Sequence, residues 1–581
     1  MTDEAVDPIT LEVIKNALAS VADEMALVVM RSSYSPVVRD TMDYSTALCD
    51  RHGEVLAQGL TLAVQLGSFP TVMQRIVESF ADEAEPGDVF ICNDPYGSGG
   101  QHLPDIFVIK PVFVDGRIEA YAATIAHHCD VGGLTPGSVA VHATEIYQEG
   151  IRMPLLKLYE AGELNHTLIA ILERNTRQPV EVLGDLRAQV AACSAGERGL
   201  VDILERYGVE TARRYVDELQ ALAERLMRAE IGRLPDGVYR FVDHLDGPGD
   251  PASPIRINVT LTVAGDDMHI DLTGTSEQVQ ASLNCPVGLV NAGCYCAVRG
   301  IAARDIPNAE GYMRPIRITA PSGTVVNPVL PAACGARGVI GYRVYEAVMG
   351  ALAQAVPDRA IAPGDGGPTL ISIGGYFADR KPFVLTDIMV GCWGARSNAD
   401  GLEGVSNPLA NLSNQPVELI EADLPLEITK YCFVQDSGGP GRHRGGLAFA
   451  RGFRLLEESA VLTVRSDRRH HPTWGLDGGE SGAPSENLLR TAEGERLLPP
   501  MPMAADTMVR GDVIHHSSAG GGGFGPAFER EPALVLEDVL DGKVSREAAL
   551  DRYGVVLTAT TPLAVDDAAT RARREGATLA T

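Results

Sequence analysis

Several side chains of the types that bind metals or transfer protons lie between residues 90 and 133 of the sequence. They include Asp94, His102, Asp105, His127, His128, Cys129 and Asp130. Two imidazoles and one carboxylate that leave open coordination positions suit zinc, manganese or iron better than calcium or magnesium. We therefore predict that His102, Asp105 and His127 hold a divalent metal (Zn, Mn or Fe). The alternative is that these three side chains cap loops and satisfy buried backbone groups.

A predicted β-hairpin positions these residues. Residues 107–114 and 118–125 are apolar runs, and the Asp115-Gly116 pair between them is typical of a tight hairpin turn. Because hairpin strands are antiparallel, the start of the first strand and the end of the second lie at one end of the sheet. The hairpin therefore predicts that His102 and Asp105 meet His127 across the sheet.

Further carboxylates flank the hairpin and are candidates for proton transfer. Asp94 precedes the first strand, and Glu145 and Glu149 lie in the loop 132–154 that leaves the metal cluster. Loop carboxylates beside a metal can act as a general base or orient a histidine, so we predict these catalytic roles for all three. For the loop pair, surface charges on a short helix are the alternative. The polar residues of segment 31–43 either line a site or form a solvated loop.

The surrounding sequence alternates between helical and strand patterns. Apolar residues recur at helical spacing in residues 8–31, with Thr10 as a candidate cap, and again throughout residues 164–233. Residues 237–326 alternate in strand fashion between turns. We therefore predict an α+β fold, a large multi-layer chain with antiparallel β-sheets and an amphipathic helical segment.

At 581 residues the chain exceeds an ordinary single domain, and we predict five regions. They are an N-terminal α+β region with the metal site (1–160), a helical segment (161–235), a β-rich region (236–330), a mixed, loop-rich region (331–525) and a C-terminal helical tail (526–581).

Composition excludes several classes of partner. The chain has 49 basic and 77 acidic side chains, a net charge of −28, so it lacks the basic surface that nucleic acids or anionic membranes require. It has no apolar run suited to a membrane span and no basic-then-apolar leader. Its ten cysteines are scattered, which argues against a disulfide framework. We expect a cytoplasmic protein.

Two glycine-rich runs, residues 434–447 and 515–525, invite comparison with phosphate-binding loops. Neither ends in the Gly-Lys-Ser/Thr sequence that such a loop needs. A tight reversal of the chain is the better interpretation of the first run, and close packing of backbone against backbone is the better interpretation of the second.

Six longer motifs lie between Cys92 and Leu557. They are CNDPYGSGGQHLPDIFVIKPVF, AHHCDVGG, ATEIYQEGIRMP, DSGGPGRHRGGL, SAGGGGFGP and LEDVLDGKVSREAALDRYGVVL. In these motifs the chain resembles the hydantoinase B/oxoprolinase family, and the resemblance extends from Pro8 to about Leu557. The resemblance implies one half of an ATP-dependent enzyme that opens hydantoins, 5-oxoproline or lactams, in which a hydantoinase A-type partner binds ATP with Mg²⁺ and phosphorylates the amide oxygen of the ring. It also implies a higher-order hetero-oligomer.

The same resemblance bears on the metal and on the reaction. Related acetone and acetophenone carboxylases hold a metal with a His-x-x-Asp pair and a downstream histidine, a pattern that falls here on His102, Asp105 and His127. His128 and Cys129 are additional donors, so the complete ligand set stays open. A ketone carboxylase subunit and a non-catalytic scaffold for the ATP-binding subunit are the alternative functions.

Overall fold

The computed structural model of the protein describes residues 6–249, 253–302, 306–559 and 561–578. The extreme ends of the first and last predicted regions, residues 1–5 and 579–581, lie outside these ranges. The predicted α+β fold with antiparallel sheets is confirmed, and the division into five regions stays a prediction.

Thirteen α-helices are present in the described ranges. They are α1 (Pro8–Ser32), α2 (Pro36–Arg39), α3 (Ala63–Leu66), α4 (Phe69–Phe80), α5 (His166–Asn175), α6 (Pro179–Tyr207), α7 (Val209–Ile231), α8 (Val287–Ile301), α9 (Gly338–Ala355), α10 (Val417–Asp423), α11 (Pro532–Leu540), α12 (Arg546–Asp551) and α13 (Asp567–Thr578). The prediction that Thr10 caps α1 is wrong. Asp7 is the cap, because its carboxylate accepts hydrogen bonds from the backbone N–H groups of Ile9 and Thr10.

Twenty β-strands are described. They are β1 (Tyr44–Asp50), β2 (Val55–Gln58), β3 (Val89–Cys92), β4 (Asp105–Val114), β5 (Arg117–His127), β6 (Leu156–Glu160), β7 (Glu163–Leu164), β8 (Gly237–Leu245), β9 (Ile255–Ala264), β10 (Asp267–Asp271), β11 (Ile316–Thr319), β12 (Thr369–Tyr376), β13 (Pro382–Met389), β14 (Leu426–Phe433), β15 (Phe449–Leu455), β16 (Ser459–Arg465), β17 (Glu486–Thr491), β18 (Gly494–Leu498), β19 (Asp506–Val509) and β20 (Val513–Ser517).

The central sheet has seven strands in the order β2-β1-β5-β4-β3-β6-β7. Helices α1 and α6 pack on one face, where Leu18 and Met25 join a core that includes Val108. Helix α4 covers the other face, where Phe69 contacts Phe107 edge to face with ring centroids 5.7 Å apart. Because both faces are covered, β4 and β5 are apolar on both sides, which explains their nearly continuous apolar sequence.

Three smaller sheets complete the fold. The first has the order β11-β10-β9-β8 and packs against α9. The other two, β13-β12-β16-β19 and β14-β15-β20-β17-β18, enclose a separate core whose members include Ile371, Leu462 and Phe453. Helix α9 is buried along nearly its whole length, so its N-terminus is held firmly near the central sheet.

The two glycine-rich runs lie against each other, which confirms the backbone packing predicted for residues 515–525. A Cβ atom added to Gly445 would lie 1.9 Å from the carbonyl oxygen of Gly521, so no larger residue fits there. Within the described ranges, no helix combines the length and the apolar character needed to cross a bilayer.

Candidate metal centre

The hairpin prediction is confirmed. Strands β4 and β5 pair in antiparallel register, with Asp105 opposite His127 at one end of the ladder. Asp115 and Gly116 both have positive φ angles, 50° and 74°, as a tight two-residue turn requires. The register therefore places two of the three predicted ligands side by side.

His102 joins this pair from the turn that precedes β4. One donor atom from each of His102, Asp105 and His127 lies within 4.8 Å of the other two. The Nε2 atom of His102 is 3.3 Å from Oδ1 of Asp105, and the two imidazole ring centroids are 4.9 Å apart. All three side chains are buried, with exposures of 0%, 0% and 4%. The structure thus brings together the three residues selected from the sequence.

The donor atoms of the three residues are free to bind a cation. Nδ1 of His102 lies 2.9 Å from the Gly335 carbonyl oxygen, to which it can only donate, so Nε2 keeps its lone pair. Among the described residues, no hydrogen-bond partner is present for His102 Nε2, Asp105 Oδ1 or His127 Nδ1. Leaving buried polar atoms unpaired is costly, and a divalent cation bound by one donor atom from each of the three residues would offset that cost. The chemistry of this donor set therefore fits the predicted metal.

Burial sets the protonation of the two histidines. It lowers the pKa of His102 to about 4, with a smaller contribution from the positive charge of Arg337. Burial also lowers the pKa of His127 well below its ordinary value, and the neighbouring His102 acts in the same direction. Both imidazoles are therefore neutral near pH 7, the form in which histidine binds metals.

Arg337, the residue that precedes α9, holds the carboxylate of Asp105. Its Nη2 donates to Oδ2 of Asp105 and also lies 3.1 Å from Oε1 of Gln101. Burial raises the pKa of Asp105, but the Arg337 charge and then His102 outweigh this effect, so the pKa lies below its ordinary value. Asp105 is therefore ionised, with Oδ2 paired and Oδ1 directed to the cluster.

Glu149 lies behind His102 rather than in the cluster itself. It is buried, and its two carboxylate oxygens accept hydrogen bonds from the backbone N–H groups of Cys334 and Gly335, at 3.0 and 2.6 Å. The Gly335 carbonyl is the group that accepts from His102 Nδ1. Burial raises the pKa of Glu149 to about 7, although the backbone hydrogen bonds oppose it. Glu149 thus fixes the segment that orients His102.

The other two predicted catalytic carboxylates lie outside the cluster. Asp94 accepts a hydrogen bond from the Tyr96 backbone N–H at 3.0 Å, and Arg152 is its charged neighbour at 3.8 Å. Glu145 is exposed and caps the short 3₁₀ helix Ile146–Gln148. Of the three candidates, only Glu149 connects to a predicted ligand through hydrogen bonds.

The additional donors after His127 are directed elsewhere. Nε2 of His128 lies 3.0 Å from Oε1 of Gln189 on α6. Burial raises the pKa of the Cys129 thiol well above its ordinary value, which disfavours a thiolate ligand. Asp130 pairs with Arg177 at 2.9 Å and accepts from backbone groups of its own loop. None of the three belongs to the cluster of donor atoms.

Sequence reasoning missed Gln101, Gly335 and Arg337, and it covered Asp43 only as part of the polar segment 31–43. Arg337 and Gly335 are more than 200 positions from the hairpin, so no local pattern connects them to it. Asp43 lies beside the site, because its carbonyl oxygen accepts the His127 backbone N–H at 2.9 Å. Burial and the charge of Asp105 raise the pKa of Asp43 to about 8.

Comparison with known proteins places the chain in a family. The family model described as hydantoinase B/oxoprolinase matches residues 7–527. The chain belongs to the hydantoinase B/oxoprolinase family. This membership confirms the resemblance seen in the sequence motifs.

Individual family members are similar over almost their whole length. A protein from Pseudomonas sp. (strain NS671), named as a D-/L-hydantoinase subunit of the B type, is 36% identical over 570 residues, which cover 95% of this chain and 96% of the relative. The crystal structure of ATP-dependent caprolactamase from Pseudomonas jessenii superposes with a TM-score of 0.91 at 32% identity, covering 98% of this chain and 100% of that chain. A nucleotide-free acetone carboxylase structure has a TM-score of 0.92 at 18% identity, covers 99% of this chain and 83% of that one, and shows the shared fold alone.

Proposed function

We propose that this chain is the metal-carrying subunit of an ATP-dependent enzyme that opens cyclic amides such as hydantoins, 5-oxoproline or lactams. The observation that carries the proposal is the set of three unpaired donor atoms on His102, Asp105 and His127. The names of its family relatives, a hydantoinase subunit and an ATP-dependent caprolactamase, support the substrate class.

Each residue of the site has a defined task in this proposal. The neutral rings of His102 and His127 and the carboxylate of Asp105 hold the cation. When bound, the cation supplies Lewis-acid polarisation and lowers the pKa of a coordinated water. Arg337 keeps Asp105 ionised and in place. Glu149 keeps the Gly335 segment in the position that fixes the His102 tautomer.

Asp94 and Glu145 have weaker support as catalytic groups. Asp94 borders the Tyr96 turn, and the Tyr96 hydroxyl donates to the Ala332 carbonyl at 2.6 Å, close to the segment that Glu149 holds. We propose a positioning role for Asp94. Glu145 caps a surface helix, and we assign it no step in the reaction.

ATP, with Mg²⁺, is bound by a partner of the hydantoinase A type in this proposal. The glycine-rich runs of this chain carry no phosphate-loop lysine and are filled by their own backbone contacts. The hydantoinase relative is named as a subunit, which supports a hetero-oligomer of higher order. The ten free cysteines suit a reducing, cytoplasmic setting.

Two experiments test the proposal. Metal analysis of the purified protein is expected to find one Zn, Mn or Fe per chain. The variants His102→Ala and His127→Ala are expected to lose that metal. Unchanged metal content in both variants would refute the metal assignment.

The second experiment purifies the chain with its ATP-binding partner and measures ATP consumption with hydantoins, 5-oxoproline and lactams. Turnover that depends on one of these rings supports the proposal. Turnover that requires bicarbonate and a ketone points to a carboxylase instead, and full activity of the partner alone points to a scaffold.

A further inference from the structure

Arg465, the last residue of β16, is an exception among the buried arginines. Seven arginines are buried in the described ranges, and they are Arg337, Arg343, Arg444, Arg451, Arg465, Arg468 and Arg530. Six of them form an ion pair with at least one carboxylate. Arg465 forms none within the part of the chain that the structure describes. A buried guanidinium without a counter-charge is expensive, so its position calls for an anion.

Arg465 makes few polar contacts. Nη2 donates to the Pro368 carbonyl at 3.0 Å, and Nε, as in the other six buried arginines, has no hydrogen-bond partner among the described residues. The Arg465 residue is 6% exposed, so bulk water does not satisfy it. Unlike the guanidinium of a surface arginine, the buried guanidinium of Arg465 cannot be solvated by water in place of a counter-ion.

A cavity of ≈ 40 Å³ lies between Arg465 and the metal centre. Its polar lining comes from Asp43, His127, Arg337, Tyr342 and Arg465, and the rest is largely aliphatic. Because roughly 10–15 Å³ suffices for one water-sized group, the cavity has room for more than a single water. His127 borders both this cavity and the cluster of donor atoms, so a ligand in the cavity lies next to the proposed cation.

The N-terminus of α9 opens onto the same cavity. Gly338, its first residue, lines the cavity, and a Cβ atom placed on it would be 3.3 Å from Nη1 of Arg465. The dipole at the start of this 18-residue helix favours negative charge. Asp43 is the one carboxylate in the lining, and the Gln65 amide donates to its Oδ1 at 2.8 Å.

We infer that Arg465, Arg337 and the start of α9 form an oxyanion-binding subsite beside the metal centre. Its ligand is a phosphate or a carboxylate-type anion. The inference rests on the proposed function in one respect: the occupant during turnover is the anionic group of the ATP-activated substrate. Arg337 serves both sites, because it lines the cavity while its Nη2 holds Asp105.

The test measures anion binding by the metal-loaded chain directly. Inorganic phosphate and bicarbonate are titrated separately, by calorimetry, into native protein and into Arg465→Met, Arg465→Lys and Arg454→Met. Arg454 is the control, because it is partly exposed and pairs with Glu427 in another sheet. Native protein and Arg454→Met are expected to bind one anion per chain. Arg465→Met is expected to bind about 10- to 100-fold more weakly, as for a lost charged hydrogen bond, and Arg465→Lys is expected to lie between the two.

The outcomes distinguish a phosphoryl group from a carboxylate as the bound anion. Together with the metal content, they also distinguish the failure of the subsite from the failure of the proposed function. Tighter phosphate binding points to a phosphoryl group, and tighter bicarbonate binding points to a carboxylate. No saturable binding of either anion by the native protein, or equal binding by Arg465→Met, overturns the inference. If Arg465→Met does not fold, Arg465→Lys decides, and native affinity in that variant counts against the subsite.

Metal content is measured on the same samples. Full metal content with no anion binding leaves the proposed function standing without the subsite. Anion binding that depends on Arg465 in a chain with no metal leaves the subsite standing and removes the proposed function.

Discussion

Replacement of Asp105 by Asn removes one negative charge from the metal centre and changes little else. Asn has nearly the same shape, so packing around the fully buried side chain is preserved. The substitution affects two partners at once. It removes the anionic ligand of the cation, and it leaves Arg337 without its carboxylate.

The size of each effect follows from burial. Removing one partner of a buried ion pair costs about 3–5 kcal/mol, because the remaining charge stays buried and unpaired. This loss is expected in the metal-free protein. In addition, a metal that binds only the folded state stabilises it by about 2.7 kcal/mol when its free concentration is about 100 times Kd. We expect Asp105→Asn to lose most of this second contribution as well.

Asp387→Asn is the matched control. Asp387 lies in the sheet β13-β12-β16-β19 and is equally buried. It pairs with the buried Arg451 at 3.1 Å. Both variants should lose a similar free energy of unfolding without metal, measured by urea denaturation. Only Asp105→Asn should lose the stabilisation on addition of Zn²⁺ or Mn²⁺. Native metal content in Asp105→Asn, or metal loss in Asp387→Asn as well, would refute the reasoning.

Three further predictions concern the groups around the site and the glycine-rich packing. Glu149→Gln should weaken metal affinity about 10- to 100-fold, because His102 is displaced, whereas the surface variant Glu145→Gln should leave it unchanged. Competition with a chelator measures the metal affinity of both variants, and equal affinities would exclude the positioning role of Glu149. The metal-free protein should lose up to about 3 kcal/mol of stability through His102 as pH falls from 6.5 to 4, because the unfolded chain protonates a ring that stays neutral in the fold. Denaturation across this pH range should show a smaller loss in His102→Gln, and an identical slope would contradict the assignment. Gly445→Ala should lower the free energy of unfolding by several kcal/mol or prevent folding, because its Cβ would overlap the Gly521 carbonyl. Gly300→Ala, on the exposed side of α8, should be neutral or slightly stabilising. Expression yield and thermal unfolding compare the two variants.

Local sequence patterns were sufficient for several elements of the fold. The Asp115-Gly116 turn defined the hairpin, and apolar spacing defined α1, α6 and α7 because each helix packs one apolar stripe against the core. The order of the seven-stranded sheet was beyond prediction, since β1 lies beside β5 rather than beside β3. Such long-range pairing depends on which faces pack together, and no single segment encodes it.

The site was predictable only as far as the hairpin reaches. His102, Asp105 and His127 come from two adjacent strands and one turn, so strand register alone brings them together. Arg337 lies 232 positions from Asp105 in the sequence. It is positioned by α9, a helix from a distant part of the chain. Glu149 was selected as a loop carboxylate near a metal, but its burial and its backbone partners depend on the same distant segment.

The charge balance of the site connects the metal centre with the cavity. Arg337 and Arg465 bring two positive charges, Asp105 brings one negative charge, and Asp43 is the one carboxylate in the lining of the cavity. A divalent cation would make this buried region strongly positive, and the described part of the fold supplies no further carboxylate to Arg465. An oxyanion in the cavity offsets that charge. By linkage, the cation and the anion then raise each other's affinity by the same factor. An activated, anionic substrate would thus be held most tightly when the metal is in place, while the neutral ring it derives from would lack the charge–charge attraction to the arginines.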